Sequence, residues 1–162
     1  MKTLPLLVCA ALCLPVSLLA RDNKDKEAVP DANISQVSVG EIVNGVPFAA
    51  TDMTGKAVVI EQWGVNCPPC IASLPEMAKL AKRYEAKGLV VVGIHAQEAT
   101  DEQINKILKD ARVKYPVARS GNVPVQTGGI PHALVFGKDG KLKWHGNPND
   151  DSFQKAVREA LK

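Results

Sequence analysis

A mixed α/β fold is expected here: one mixed β-sheet, a parallel part with an antiparallel edge, with helices on both faces and a short hairpin at its N-terminal edge. Three observations predict it. Val58-Val59-Ile60, Leu89-Val90-Val91-Val92-Gly93-Ile94 and Ala133-Leu134-Val135-Phe136 are short apolar runs of the length and β-branched content of buried strands. Stretches with apolar residues at helical spacing separate and follow them. Aromatic residues are only 4% of the chain, so the core must rest on Val, Ile, Leu and Ala.

The elements follow in order. Lys2 and the nearly uninterrupted apolar stretch Leu4 to Ala20, followed abruptly by Arg21-Asp22-Asn23-Lys24-Asp25-Lys26-Glu27, have the layout of an export signal. Residues 1–20 are therefore expected to be a signal peptide. An uncleaved anchor is the alternative, because 17 apolar residues is the lower limit for a span. Residues 21–36 read as a polar linker and 37–162 as the folded domain. Val37, Val39, Ile42 and Val46-Pro47-Phe48, interrupted by Gly40 and Asn44-Gly45, predict the edge hairpin.

The strand through Val58-Val59-Ile60-Glu61-Gln62-Trp63 leads into Cys67-Pro68-Pro69-Cys70 and a helix from about Pro68 to Lys87. Pro68 suits a first helical turn, where the N–H has no intrahelical partner. Ile71, Leu74, Met77, Ala78, Leu80, Ala81 and Tyr84 give that helix its apolar face, and Gly88 stops it. Pro75 falls inside the pattern and should kink the helix rather than end it. After the strand at 89–94, Thr100 with Gln103 reads as a capping box for a second helix with Ile104, Ile107, Leu108 and Ala111 inward. Tyr115-Pro116-Val117-Ala118 is a short extended piece, and a loop leads to Ile130-Pro131-His132 and the strand at 133–136. Asp139-Gly140 turns the chain into an edge strand at 141–144, and an amphipathic helix from Asp151 to Leu161 closes it.

The net charge of +3 is modest, and acids and bases are interspersed. With no basic stripe and no interleaved aromatics, nucleic acid is not an expected partner. Membrane contact is expected only if the N-terminal segment stays attached, and no cofactor is called for.

Of four cysteines, Cys9 and Cys13 lie in the leader, which leaves Cys67 and Cys70 as the domain's thiols. A strand running into Cys-x-x-Cys at a helix start is the arrangement of a reversible dithiol/disulfide centre. The helix's free N–H groups and positive dipole end favour a thiolate at Cys67. Cys67, at the helix mouth, is expected to attack. Cys70, one turn in, is expected to resolve the mixed disulfide. The two prolines remove two N–H donors near the sulfurs, which argues against an extreme oxidant.

Glu61 shares a strand face with Val59 and Trp63. A carboxylate in that company is either buried or at a sheet end. If buried, its pKa rises and it can take a proton from Cys70 near neutral pH; if at the sheet end, it is simply solvated. A cis bond before Pro131 would turn the Ile130 backbone towards a bound chain.

Trp63-Gly64-Val65-Asn66-Cys67-Pro68-Pro69-Cys70, Pro75 and Gly129-Ile130-Pro131 together resemble the active site of the thioredoxin superfamily. The hairpin before the first core strand and the helix at 101–112, inserted ahead of the Pro131 strand, resemble its exported TlpA/ResA-like branch. The resemblance covers about residues 37–162. It implies a thioredoxin-like sheet with a hairpin extension and an inserted helix. Cys67 would be the nucleophile, Cys70 the resolving cysteine, Glu61 the buried acid and Pro131 the cis-proline beside the disulfide. Ile130, Asn66 and Pro68 would contact substrate. The implied substrates are exported proteins with disulfides or thiols, and a reductant in that compartment needs a membrane-bound thiol–disulfide electron donor. Asn66 stands where the family usually has tryptophan, so the docking rim is expected to be more polar. Ser73 stands where many relatives place a glutamate, which leaves the acid role to Glu61.

Two other uses of the same thiols stay open. One is a soft-metal carrier for copper or zinc, with His132 or His95 as a third ligand. The other is a thiol peroxidase, which the close pairing of the thiols disfavours. His132 could equally face the thiols and tune them, or be a satisfied strand histidine.

Overall fold

The computed structural model describes residues 28–162. The expected signal at 1–20 and the first part of the linker lie outside the described residues. No helix among the described residues is long and apolar enough to cross a membrane.

Two short strands open the chain, β1 (Ser38–Val39) and β2 (Ile42–Asn44). They are followed by β3 (Ala57–Trp63), α1 (Pro68–Tyr84), β4 (Leu89–His95) and α2 (Asp101–Asp110). Then come β5 (Val117–Ala118), β6 (Gly121–Asn122), β7 (His132–Phe136), β8 (Leu142–Gly146) and α3 (Asp151–Ala160). Six strands form one sheet in the order β2-β5-β4-β3-β7-β8. β3, β4 and β5 are parallel, and β2, β7 and β8 are antiparallel to their neighbours. β3 lies at the centre with all seven residues buried, as its apolar run requires.

The helices follow their signals. α1 runs through Pro75 and buries Leu74, Met77 and Leu80, and Gly88 stops the segment in the left-handed conformation at φ 85°. α2 has the reciprocal capping box: Thr100 Oγ1 accepts from the Gln103 N–H at 3.3 Å, and Gln103 Oε1 accepts from the Thr100 N–H at 2.9 Å.

Three expectations need correction. The N-terminal hairpin does not form, because β1 and β2 do not pair with each other. Residues 38–44 run as one antiparallel ribbon along 117–122, with β1 on β6 and β2 on β5. Only Gly40 and Glu41 separate the two strands, and both already bond across the ribbon: the Gly40 N–H donates to Ser120 O and Glu41 O accepts from the Arg119 N–H, each at 2.9 Å. Pairing with 117–122 thus takes the place of a turn at Gly40, and Val46-Pro47-Phe48 beyond Asn44-Gly45 forms no strand.

The linker is also shorter than expected. Ala32 is buried, its carbonyl accepts from the Leu142 N–H, and the Ile34 N–H donates to Gly140 O, both at 2.8 Å. Residues 32–36 thus dock on the β7–β8 turn, because their backbone groups complete its edge.

Helical structure does cover both sheet faces, but unequally. The buried residues of α1, α2 and α3 all join one core with Val59, Trp63, Val91 and Val135. The opposite core, built on Val58, Ile60, Val92 and Leu134, receives only Met53 from the 3₁₀ turn Ala50–Met53, with Ile34 from the 3₁₀ turn Ile34–Gln36 at its margin. The successive crossovers β3–α1–β4 and β4–α2–β5 step the same way across the sheet. A constant crossover hand then places both helices on one side.

Candidate active site

The site begins where β3 ends. Gly64 to Asn66 carry the chain from the sheet to α1, and two side chains at the end of β4 hold them. Nε2 of His95 accepts the Val65 N–H at 3.2 Å, and Oε1 of Gln97 accepts the Asn66 N–H at 2.8 Å. Gly64 leaves room for Gln97, since a Cβ there would overlap its carboxamide. Trp63 is fully buried beneath the loop and meets the His95 ring edge-on at 5.1 Å between centroids.

Cys67 caps α1, and Pro68 and Pro69 occupy its first turn. With no N–H on either proline, the first helical amide that reaches the sulfur is that of Cys70, which donates to Cys67 Sγ at 3.3 Å. Cys67 and Cys70 are joined as a disulfide. Cys67 retains 6% exposure and Cys70 none, so an approaching group meets Cys67 first. The Ile130–Pro131 bond is cis, and the carbonyl oxygen of Ile130 lies 3.7 Å from Cys67 Sγ. Ile130 and Pro131 are half-buried, whereas Asn66 and Pro68, which flank Cys67 in the chain, are exposed. The structure therefore brings Cys67, Asn66, Pro68, Ile130 and Pro131 to one rim. Asn66 has its backbone N–H already committed to Gln97.

Glu61 takes the buried alternative. It is wholly inaccessible, on the face of β3 that α1 covers. Burial pushes its carboxyl up from 4.5 to about 7, against the pull of a hydrogen bond from Tyr115. The Tyr115 hydroxyl donates to Oε2 at 2.7 Å, and Oε1 has no partner among the described residues. Ser73 is not available for proton transfer, because its hydroxyl donates to Cys70 O at 2.8 Å.

The histidines divide. His132 does not face the thiols. It pairs with Gln62 across the ladder, so both point to the opposite sheet face, and His132 Nδ1 lies 2.9 Å from Gln62 Oε1. Burial and the neighbouring His145 push it down to about 4. His95 does face the site, but as a brace. To accept the Val65 N–H its Nε2 must be unprotonated, and burial, opposed in part by the Gln97 backbone, lowers its pKa. The third ligand of a metal carrier would have to come from groups already held this way. Among the described residues no three His, Cys, Asp or Glu side chains cluster as a metal site.

Sequence reasoning missed Gln97 and Tyr115. Neither carried a local signal, because both reach their partners over 31 and 54 residues of chain.

Known proteins match this arrangement. The family model described as Redoxin matches residues 24–161. A thiol-disulfide oxidoreductase ResA of Bacillus thuringiensis subsp. konkukian is 32% identical over 104 residues, 62% of this chain. That match spans 60% of the relative's length. A ResA of Oceanobacillus iheyensis is 29% identical over 145 residues, covering 85% of this chain and 74% of the relative. The crystal structure of a thiol:disulfide interchange protein, a thioredoxin family protein from Chlorobium tepidum TLS, superposes with a TM-score of 0.67 at 25% identity. That superposition covers 83% of this chain and 98% of the other.

Proposed function

Because the chain belongs to the Redoxin family, we propose that it is a thiol–disulfide oxidoreductase acting on exported protein substrates through Cys67 and Cys70, as a reductant rather than an oxidant. One observation carries the reading: a disulfide at the start of α1 whose outer sulfur reaches the rim beside Ile130 while its inner sulfur is sealed beneath.

The chemistry follows from that asymmetry. In the reduced protein the Cys67 thiolate attacks a partner disulfide and forms a mixed disulfide. Cys70 loses its proton, attacks Cys67 Sγ and releases the partner as a thiol. Glu61, held near neutrality, is the group that accepts the Cys70 proton. The partner lies extended on the rim formed by Asn66, Pro68 and the Ile130 backbone, with little side-chain selection.

The leader expected at 1–20 supports an activity outside the cytoplasm, in a periplasm or an equivalent space. There a membrane-bound thiol–disulfide donor would return electrons to Cys67–Cys70. The direction of flow is tested by equilibrating the protein with defined thiol–disulfide buffers. A potential near about −270 mV supports the reductant, and one near about −120 mV overturns it. The C70S variant is expected to trap partners on Cys67, and C67S to lose exchange altogether. Full exchange in C67S would end the enzymatic reading. Mass measurement of the mature protein from its host tests the leader, with a start at Met1 contradicting cleavage.

A further inference from the structure

Tyr115 stands outside the Cys-Pro-Pro-Cys motif, yet it reaches the acid behind it. It precedes β5, which is two strands from β3, and its ring is buried. The intervening strand is β4, and the β4 residue opposite Glu61 is Gly93. A Cβ on Gly93 would stand 3.4 Å from Tyr115 Cε2 and 3.0 Å from Val117 Cγ2. A Cβ at 93 would thus press on Val117 and just touch the ring, and any larger side chain there would compete with the ring for space. The backbone at Tyr115 is fixed as well. Its carbonyl accepts from Asn44 Nδ2 at 3.2 Å, and the Gly93 N–H donates to Pro116 O at 2.9 Å.

We propose that Tyr115 is a positioning residue for the resolving step: its hydroxyl holds Oε2 of Glu61 and leaves Oε1 as the oxygen that takes the proton from Cys70. This rests on the thiol–disulfide reading above. In the step, the Cys70 S–H gives its proton to Glu61 and the resulting thiolate attacks Cys67 Sγ. The bond between Cys67 and the partner breaks as the Cys67–Cys70 bond forms. The partner leaves as a thiolate and takes up a proton from solvent or from Glu61. The cysteine pair is oxidised by two electrons and the partner disulfide is reduced by two.

The titratable groups on this sheet face, among the described residues, are Tyr115, the two cysteines, His95 and, at the far end of α1, Tyr84. His95 stays neutral near pH 7, because burial lowers its pKa. The side chains that α2 and α3 contribute to this core are apolar: Ile104, Ile107, Leu108, Phe153, Ala156, Val157 and Ala160. The Ala133 of β7, opposite Glu61, is apolar too. Removing the Tyr115 hydroxyl therefore leaves burial unopposed, and Glu61 keeps its proton to higher pH.

The test uses the full reduced protein and a chromogenic aromatic disulfide, dithiobis(nitrobenzoate). Attack by Cys67 releases one chromophore, and resolution by Cys70 releases the second in a phase independent of probe concentration. In Y115F the rising limb of the second phase against pH is expected to move to higher pH, slowing it about threefold to tenfold at pH 7. The first phase should stay within about twofold. E61Q should abolish the limb, and Y115F in the E61Q background should add nothing. G93V, which keeps the hydroxyl but adds two methyl groups beyond a Cβ already in contact with the ring edge, should shift the limb in the same direction. An unmoved limb in Y115F, or in G93V if Y115F does not fold, overturns the proposal. So does equal slowing by Y115F with and without Glu61, the signature of a purely structural role. A second phase unchanged in E61Q is a separate failure: it removes Glu61 from the reaction and this inference with it.

Discussion

Glu61 and Gln62 are consecutive on β3, so they face opposite sides of the sheet, and each is half of a buried polar pair. Glu61 accepts from Tyr115 on the side that the three α-helices cover; Gln62 meets His132 on the side covered by 3₁₀ turns and loops. Burial acts on both pairs and shifts them in opposite directions. It holds the Glu61 acid protonated up to about 7, and with His145 it holds His132 neutral down to about 4. Both groups are uncharged in their sealed state. Only Glu61 changes charge close to neutral pH, and only Glu61 lies on the face that holds Cys70. The same desolvation gives one side a proton carrier and the other an inert hydrogen bond.

The largest expected effect tests that division directly. E61Q should slow resolution by Cys70 about a hundredfold at neutral pH, the usual range for losing a general base. H132N, which keeps a polar group near the Nδ1 position for Gln62, should leave both phases of the chromogenic disulfide reaction within about twofold. Comparable slowing by the two variants would break the comparison.

Stability against pH sharpens it. Glu61 binds its proton more tightly folded than unfolded, so its contribution is whole below 4.5 and is lost as pH rises through about 7. Between pH 5 and pH 8 the parent should lose on the order of 2 kcal/mol more than E61Q in denaturant titrations. Parallel curves for the two proteins would contradict the burial of an ionisable acid.

His132 runs the other way. Its folded pKa lies below 6.5, so its contribution is present above that pH and is lost as pH falls through about 4. H132N should therefore resist unfolding by acid better than the parent. The effect should be no larger than that at Glu61, because the two groups are shifted by similar amounts in opposite directions.

The smallest effect concerns the other buried histidine, His95. H95A removes the acceptor for the Val65 N–H and should cost about 1 kcal/mol, read as a lower denaturant midpoint. H95Q, which can present an oxygen near the Nε2 position, should recover most of it.

The central strands and all three helices were legible because their signals are local. A seven-residue strand buried on both faces must be apolar nearly throughout, and β3 announces itself that way. Thr100 and Gln103 cap α2 across three residues, and Gly88 ends its segment through its own backbone freedom. The cysteine pair was legible for the same reason, since four consecutive residues carry both the helix start and the disulfide. Glu61 was legible as an anomaly, a carboxylate in apolar company, although sequence alone left open whether that company closed over it.

What tertiary structure alone decided is which distant groups meet. The side of the sheet that His132 faces depends on its register with Gln62, and a one-residue slip would have aimed it at the thiols. The ribbon of 38–44 with 117–122 replaced a hairpin because backbone groups far along the chain were better placed than those nearby. Tyr115 reaches Glu61 across β4 because β5 lies beside β4 and β4 presents a glycine, Gly93, opposite Glu61. Periodicity and capping are encoded within a few residues and survive as sequence pattern. A hydrogen bond spanning 54 residues is encoded only in the order and register of strands, which no local pattern contains.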